Sequence, residues 1–241
     1  TYITLVLFFI VLSITAEVRY VSKKGSSESP YTSWKTACDS LQKCFDYCNN
    51  GDTVYVDRGI YRETIRFSHK ILTIIGVDTD ECIIDGNDLI GPIYGPVLIL
   101  QNYGNIKFYN FTLKRKKGIN DNYSYEYWNM DGYVDIKNCI FDTTSRALIA
   151  TGDTEASSCI YRNVNAAVNA SGNYKITISN SLMSLKMWDG NKSAIKNSVW
   201  SGSYEVYNNI IYTNDINSSY CIELCTSTGI SIKNNLIYGF E

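Results

Sequence analysis

Residues 230–237 read Ile-Ser-Ile-Lys-Asn-Asn-Leu-Ile and contain the pattern that decides the fold. Two apolar residues flank one polar residue, an asparagine follows, and another apolar residue comes shortly after it. This period of two places Ile230 and Ile232 on the same side of a β-strand. Asparagine tolerates the left-handed backbone conformation, which suits a sharp turn directly after the strand. The segment therefore predicts a short buried strand, a turn at Asn234 and a second strand that contains Ile237.

The same pattern recurs from residue 106 onward. Six copies end at asparagines, and the third copy is the weakest: Asn110, Asn138, Asn163, Asn180, Asn208 and Asn234. Their spacings of 28, 25, 17, 28 and 26 residues are typical of a solenoid. A partial copy at residues 195–197 does not fit this spacing. One copy per coil would stack the amides in a ladder, and seven or eight coils at about 4.8 Å each predict a length of roughly 35–40 Å. The alternative fold, an antiparallel β-sandwich, would show hairpin turns at closer spacing.

The first 90 residues combine one predicted helix with several short strands. We expect the helix from about Ser33 to Asn49, with one apolar face formed by Trp34, Ala37, Leu41, Phe45 and Cys48. After Gly51 the apolar period changes to two. This change predicts strands in residues 53–56, 64–67, 71–75 and 82–85.

These segments resemble the opening of right-handed parallel β-helix proteins of the pectin-lyase-like superfamily. The residues that carry the resemblance are Ser33–Ala37, Gly51–Val56, Gly59–Glu63, Ile74–Gly76 and Ile83–Gly86. It covers about residues 20–90 and is specific for fold rather than activity. It implies an all-β, right-handed parallel β-helix solenoid in which an N-terminal α-helix caps the apolar tube.

The apolar stretch at residues 2–16 has the length of a signal-peptide core and is too short to span a bilayer comfortably. We therefore predict an N-terminally incomplete signal peptide at residues 1–16 and a β-helix domain at residues 17–241, truncated at its C-terminal end. A buried first strand or an uncleaved anchor is the alternative for the N-terminal stretch. The expected location is secreted or on the extracellular surface, with the membrane contacted only through the signal segment.

An oxidising compartment would allow the eight cysteines to form structural disulfides, and buried thiols are the other interpretation. Five Asn-X-Ser/Thr sites make a glycoprotein possible, although five is close to the number that this composition produces by chance. The five sites begin at Asn110, Asn122, Asn169, Asn191 and Asn217.

The composition excludes some classes of function. A formal net charge of −2, from 22 Lys plus Arg and 24 Asp plus Glu, argues against a nucleic-acid partner. The single histidine, His69, excludes multi-histidine metal sites. We expect a monomer whose partner is an extracellular polysaccharide or glycan.

The enzyme branches of the superfamily can be compared with this chain motif by motif. The chain lacks the Asp-Asp and His-Gly elements of polygalacturonases and the glutamine motifs of pectin methylesterases. His69 follows Ser68 rather than Asp, unlike the strand motif of calcium-dependent pectate lyases. Acidic and basic residues that consecutive coils could bring together are weak catalytic candidates, with Ca²⁺ as the cofactor in a lyase-like case: Asp131, Asp135, Asp153, Arg146 and Arg162. Solvated turn carboxylates are the simpler interpretation.

Residues 120–133 depart from the repeat and are predicted to form an inserted loop, which is where solenoids often carry their binding surface. Aromatic rings can stack on the apolar faces of sugars, so the predicted substrate-binding residues are Tyr123, Tyr125, Tyr127 and Trp128. The alternative is that these rings cover the solenoid wall. The preceding basic run, Lys114–Lys117, could meet an acidic glycan or form a solvated turn.

Three functions follow from these observations. The first is a secreted or surface β-helix that binds carbohydrate or mediates adhesion without catalysis. The second is a polysaccharide lyase or glycoside hydrolase acting on an acidic polysaccharide. The third is a structural repeat module of a larger surface protein.

Overall fold

The computed structural model describes residues 15–86, 98–101, 104–114, 125–143, 146–186, 193–197, 202–214, 220–224 and 229–240. For residues 98–101, 125–131, 197 and 220 the description covers the backbone alone. The predicted signal segment therefore lies almost wholly outside the described residues, as do Tyr123 and Cys225.

The described chain contains one helix and 22 strands. In chain order they are β1 (Val18–Val21), α1 (Leu41–Tyr47), β2 (Thr53–Val56), β3 (Gly59–Tyr61), β4 (Ile65–Ser68), β5 (Ile71–Gly76), β6 (Cys82–Asp85), β7 (Leu98–Gln101), β8 (Asn105–Tyr109), β9 (Thr112–Lys114), β10 (Tyr125–Lys137), β11 (Ile140–Asp142), β12 (Arg146–Ser157), β13 (Ile160–Val164), β14 (Ala166–Ala170), β15 (Lys175–Ser179), β16 (Leu182–Leu185), β17 (Ser193–Asn197), β18 (Ser203–Tyr207), β19 (Ile210–Thr213), β20 (Tyr220–Leu224), β21 (Ile230–Lys233) and β22 (Leu236–Tyr238).

The strands form three parallel ladders, which confirms the predicted parallel β-helix. Face 1 runs β1-β2-β5-β8-β10-β12-β15-β18-β21, and face 2 runs β3-β6-β9-β11-β13-β16-β19-β22. Face 3 runs β4-β7-β10-β12-β14-β17-β20. The long strands β10 and β12 belong to faces 3 and 1 together, and their mutual register shifts between Met130 and Tyr133.

The core is a continuous apolar stack inside the three faces. Alternate residues of each strand point inward, as Val134 and Ile136 do on face 1, and both are fully buried. Rings from successive coils stack within the core: the centroids of Phe141 and Tyr161 lie 5.0 Å apart with an interplanar angle of 4°. No coil buries its inner surface alone, so stability comes from contacts between neighbouring coils.

The turn from face 1 to face 2 is where the predicted asparagines lie. The residue at this turn has a positive φ in six successive coils, at Asn110, Asn138, Ser158, Asn180, Asn208 and Asn234. Five of these six are the asparagines that the repeat predicted. The amides form short ladders, with Asn138 donating to Asn110 over 3.0 Å and Asn208 donating to Asn180 over 3.3 Å.

The prediction for Asn163 was wrong about the coil position. Ser158, at the end of β12, occupies the turn, because the coil between Asn138 and Ser158 contains only 20 residues. Asn163 instead lies within β13 on face 2, where the register to β16 shifts, and its φ is 56°. The partial copy ending at Asn197 is β17 and belongs to face 3, which explains why it does not fit the spacing.

A second polar column lies inside the C-terminal coils, directly after the turn. Asn209 is buried and accepts a hydrogen bond from the Ser181 amide over 2.9 Å. Its own backbone amide donates to Oδ1 of Asn235, also over 2.9 Å. In earlier coils the same position holds buried apolar side chains, including Cys139 and Cys159.

The helix is shorter than predicted. Helix α1 begins after Ser40, whose side chain accepts from the amide of Lys43. The Glu63 carboxylate accepts hydrogen bonds from the Leu41 and Gln42 amides, so it fixes the helix start there. The preceding segment forms turns and a parallel bridge between Cys38 and Val21 rather than a helix.

The N-terminal end of the solenoid contains a buried ion pair. Nε of Arg19 lies 2.8 Å from Oδ2 of Asp52, and both side chains are almost completely buried. Asp52 also accepts from the backbone amides of Glu17 and Asn49. Burial alone would raise the pKa of Asp52, but these hydrogen bonds outweigh it and hold that pKa below its usual value.

The predicted disulfides are not observed among the described cysteines, all seven of which are free thiols. Six of them are buried and act as small core side chains. The Cys159 thiol points to the backbone oxygen of Ser157 over 3.3 Å, and burial raises its pKa to about 12, which keeps it protonated. Within the described ranges, no helix has both the length and the apolar character needed to cross a membrane.

Candidate functional site

The outer surface of face 1 carries side chains in rows along the solenoid axis. Parallel strands in register place equivalent outward residues one coil apart, about 4.8 Å. One outward row runs, by successive strand pairings, through Tyr20, Tyr55, Ile75, Tyr109 and Lys137. Aromatic rings therefore occupy three of the five positions of this row, with Ile75 between Tyr55 and Tyr109.

The N-terminal end of this row is an aromatic cluster. The rings of Tyr20 and Tyr55 stack with centroids 6.0 Å apart and an interplanar angle of 24°. Trp34, from the segment before α1, meets the Tyr20 ring edge-on at 4.6 Å and is 43% exposed. We call Trp34, Tyr20 and Tyr55 the aromatic cluster. Trp34 is the exposed member of this cluster, so its ring is the one that weakly positive C–H groups of a ligand can reach most readily.

A polar centre follows on the next coils of the same face. Oδ2 of Asp135 accepts from the Tyr109 hydroxyl over 2.6 Å and from Nζ of Lys137 over 3.0 Å. Asp135 lies on the outward side of β10, since its neighbours Val134 and Ile136 point into the core, yet it is only 4% exposed. Its other oxygen, Oδ1, is buried and receives no hydrogen bond from the described part of the chain. We call Asp135, Tyr109 and Lys137 the Asp135 centre.

The electrostatics of the centre keep its donors protonated at neutral pH. Burial and the hydrogen bond to Asp135 raise the pKa of Tyr109. The hydrogen bond to Asp135 also raises the pKa of Lys137. Burial, followed by the charges of Asp135 and Glu155, raises the pKa of the adjacent Tyr133. A negative field therefore acts on this part of face 1.

Further carboxylates line the same face. Glu155 on β12 is the register partner of Asp135, and it accepts from the Tyr133 hydroxyl over 3.4 Å. Asp153 accepts from the amide of Lys175 over 2.8 Å. Lys107, on the preceding coil, is the other register partner of Asp135 and supplies positive charge there.

The five catalytic candidates are divided among the three faces. Asp135 and Asp153 lie on adjacent coils of face 1. Arg162 is on face 2, where it forms an ion pair of 2.9 Å with Asp142. Arg146 begins β12 on face 3. Asp131 lies in β10, at a position where the backbone alone is described. Of the five candidates, the structure brings Asp135 and Asp153 near each other and places both arginines on other faces.

The inserted-loop prediction was wrong for residues 125–133. These residues belong to β10, where Trp128 pairs with Ile99 of β7 on one side and with Ile149 of β12 on the other. The segment is thus part of the solenoid wall, because β10 continues from face 3 into face 1. For Tyr125, Tyr127 and Trp128 the described backbone places them in this strand, and their role as sugar contacts stays a prediction. Of the basic run, Lys114 is in β9 and the rest lies outside the described residues.

The residues of the aromatic cluster and Tyr109 were missed as site candidates. The available signal was a tyrosine between two apolar residues in a predicted strand, as in Val54-Tyr55-Val56. Alternation alone places such a tyrosine outside, but the alignment of rings from different coils requires the strand register.

Comparison with known proteins adds no assignment. No protein-family model matches the chain, and no curated protein is a significant match. Among the described residues, no group of three or more histidine, cysteine, aspartate or glutamate side chains is arranged to hold a metal ion. No cofactor is expected from the sequence outside a lyase-like case, and the Ca²⁺ considered for that case has no ready set of ligands on the described part of face 1.

Proposed function

We propose that this protein is a secreted or surface β-helix of the pectin-lyase-like superfamily that binds an extracellular glycan on face 1 without catalysis. The observation that carries the proposal is the aromatic cluster, in which Tyr20 and Tyr55 stack along the axis and the exposed Trp34 packs edge-on against Tyr20. Adhesion through such a glycan is the corresponding biological role.

The row has dimensions suited to a sugar chain lying along the solenoid. Tyr20 and Tyr109 are three coils apart, or about 14 Å at about 4.8 Å per coil. Sugar rings present flat apolar faces that pack on aromatic side chains, and their hydroxyl groups need polar partners at the edges. Face 1 supplies both, with the rings at one end of the row and the Asp135 centre at the other.

Binding to a panel of neutral and acidic polysaccharides tests the proposal. We expect the wild type to be retained on at least one polysaccharide, and Tyr20→Ala combined with Trp34→Ala to lose at least tenfold in affinity. The matched control is Tyr212→Ala combined with Tyr238→Ala, which removes a stacked ring pair of 5.3 Å from face 2. Equal losses in both double variants, with unchanged melting temperatures, would contradict binding at face 1. No retention on any glycan would instead favour the structural repeat module.

Glycoside hydrolysis is a second candidate because Asp135 and Glu155 are carboxylates paired in register on one outer face. Hydrolases of this kind use one carboxylic acid to protonate the departing glycosidic oxygen. The second carboxylate takes a proton from the attacking water or attacks the sugar itself. New reducing ends that disappear with Glu155→Gln, in an enzyme that still binds the polysaccharide, would establish this candidate over simple binding.

A further inference from the structure

The buried Oδ1 atom of Asp135 lacks a hydrogen-bond donor within the described chain. Leaving a buried acceptor unpaired is costly, and such atoms in native proteins call for an explanation. Asp135 lies on the outward side of β10, so the side chains that cover Oδ1 belong to the outer surface rather than to the core, and a donor that arrives from solvent reaches Oδ1 by displacing one of them. This inference rests on the proposed glycan binding and concerns the same face.

The groups around Oδ1 define what kind of donor fits. Lys137 already balances the charge of Asp135, so an additional ammonium group would meet repulsion from Lys137. The Lys137 side chain is 45% exposed and lies over the Tyr109 ring, with Nζ 5.6 Å from the ring centroid. The centre thus combines an acceptor without a donor and a half-exposed donor beside an aromatic ring.

The charges beyond the centre disfavour an acidic ligand. Glu155 is the register partner of Asp135, and Asp153 precedes it on the same strand. A uronate or sulfate group placed here would face these carboxylates at short range, with Lys107 and Lys137 only partly offsetting them. The described residues also show no set of ligands for a metal ion that could bridge two anions.

We propose that the Asp135 centre binds a neutral sugar through two adjacent hydroxyl groups, so that the glycan recognised by face 1 is neutral rather than acidic. One hydroxyl donates to Oδ1 of Asp135. The neighbouring hydroxyl accepts from Nζ of Lys137, while the sugar ring packs near Tyr109. This assignment replaces the acidic polysaccharide considered from the sequence.

Calorimetric titration of the whole chain tests the assignment. The probes are hexasaccharides of glucose, mannose and galactose, and hexagalacturonate as the acidic equivalent. We expect at least one neutral hexamer to bind tenfold more tightly than hexagalacturonate, and Asp135→Asn to weaken that binding about tenfold. Glu205→Gln is the matched control, since Glu205 lies three coils further on the same face and is paired with Lys175. It should change the affinity less than twofold.

Tighter binding of hexagalacturonate, or an Asp135→Asn affinity within twofold of wild type, would overturn the assignment. If Asp135→Asn does not fold, Lys137→Met decides, because it removes the half-exposed donor, together with the counter-charge of Asp135, and should also weaken neutral binding about tenfold. The proposed function has its own test. It fails if Tyr20→Ala combined with Trp34→Ala weakens the binding of no hexamer and no polysaccharide. A uronate preference that still requires these two residues would reject the neutral ligand and retain glycan binding.

Discussion

Faces 1 and 2 are built by the same alternation of inward and outward residues, but their outer polar groups are satisfied differently. On face 2 one outward row alternates in charge along successive coils: Arg62, Asp85, Lys114, Asp142 and Arg162. Each charge has an opposite charge one coil away, as in the Arg162–Asp142 pair. On face 1 the corresponding surface contains Asp135, whose Oδ1 has no donor among the described residues.

This difference separates a structural surface from a candidate binding surface. Burial alone would raise the pKa of Asp142, but hydrogen bonds from Arg162 and Thr143 outweigh it and lower that pKa. The outer charged row of face 2 is therefore balanced by its own ion pairs, while the outer side of face 1 keeps a carboxylate oxygen that a ligand can satisfy. Both faces have a stacked tyrosine pair, but the pair on face 1 is joined by the exposed Trp34 and lies in the same outward row as Tyr109 and Lys137 of the Asp135 centre.

The largest expected effect concerns the buried ion pair at the N-terminal end, compared with the exposed pair of face 2. Asp52→Asn should lower the free energy of unfolding by about 3 kcal/mol, because it leaves the buried Arg19 guanidinium without its main counter-charge. Asp142→Asn should cost only about 0.5–1 kcal/mol, since Arg162 is half exposed. Chemical denaturation measures both losses of unfolding free energy. Equal losses would show that burial does not make the Arg19–Asp52 pair more important than the Arg162–Asp142 pair.

The same carboxylates predict an acid dependence. The pKa values of Asp52 and Asp142 are lowered in the folded chain, so their stabilisation is present above the unfolded value of about 3.9. It is lost as the pH falls through the folded values. We expect the melting temperature to fall below about pH 4 and to fall less steeply in Asp52→Asn. If the slope of melting temperature against pH is the same in Asp52→Asn as in the wild type, Asp52 does not contribute to the acid dependence.

A smaller effect is expected for Asp135→Asn. The substitution gives up one ion pair with a half-exposed lysine but also removes a buried charged oxygen without a donor. These terms offset each other, so the free energy of unfolding should change by less than about 0.5 kcal/mol. A loss of unfolding free energy well above that of Asp142→Asn would mean that Asp135 serves mainly to stabilise the fold rather than to bind a ligand.

A similarly small effect, in this case a stabilising one, is expected at the turn that joins faces 1 and 2. Ser158 has a φ of 54° at the position where five other coils use asparagine. Asparagine adopts this conformation more readily, so Ser158→Asn should raise stability by about 0.5 kcal/mol. The reverse substitution, Asn180→Ser, should lower stability by a similar amount. Thermal unfolding of the two variants measures both changes.

Much of the fold was predictable because its signals are local. Alternation in segments such as Ile230–Lys233 specifies a strand, and asparagine specifies the turn after it. The prediction of a turn at Asn163 was wrong because this coil is shorter and has its turn at Ser158. A local sequence pattern does not show the length of a coil. The site was harder to predict: Arg162 and Asp135 are 27 residues apart, about the length of one coil, but only the strand pairings show that they lie on different faces.

The central claim is that a glycan binds face 1 and leaves face 2 uncovered. Hydroxyl-radical footprinting with and without the tightest-binding hexasaccharide tests it directly, because it reports side-chain exposure residue by residue. The account predicts slower oxidation of Trp34, Tyr20 and Tyr55 in the bound state, with Tyr212 and Tyr238 unchanged. Protection of Tyr212 and Tyr238 with an unchanged aromatic cluster would contradict it.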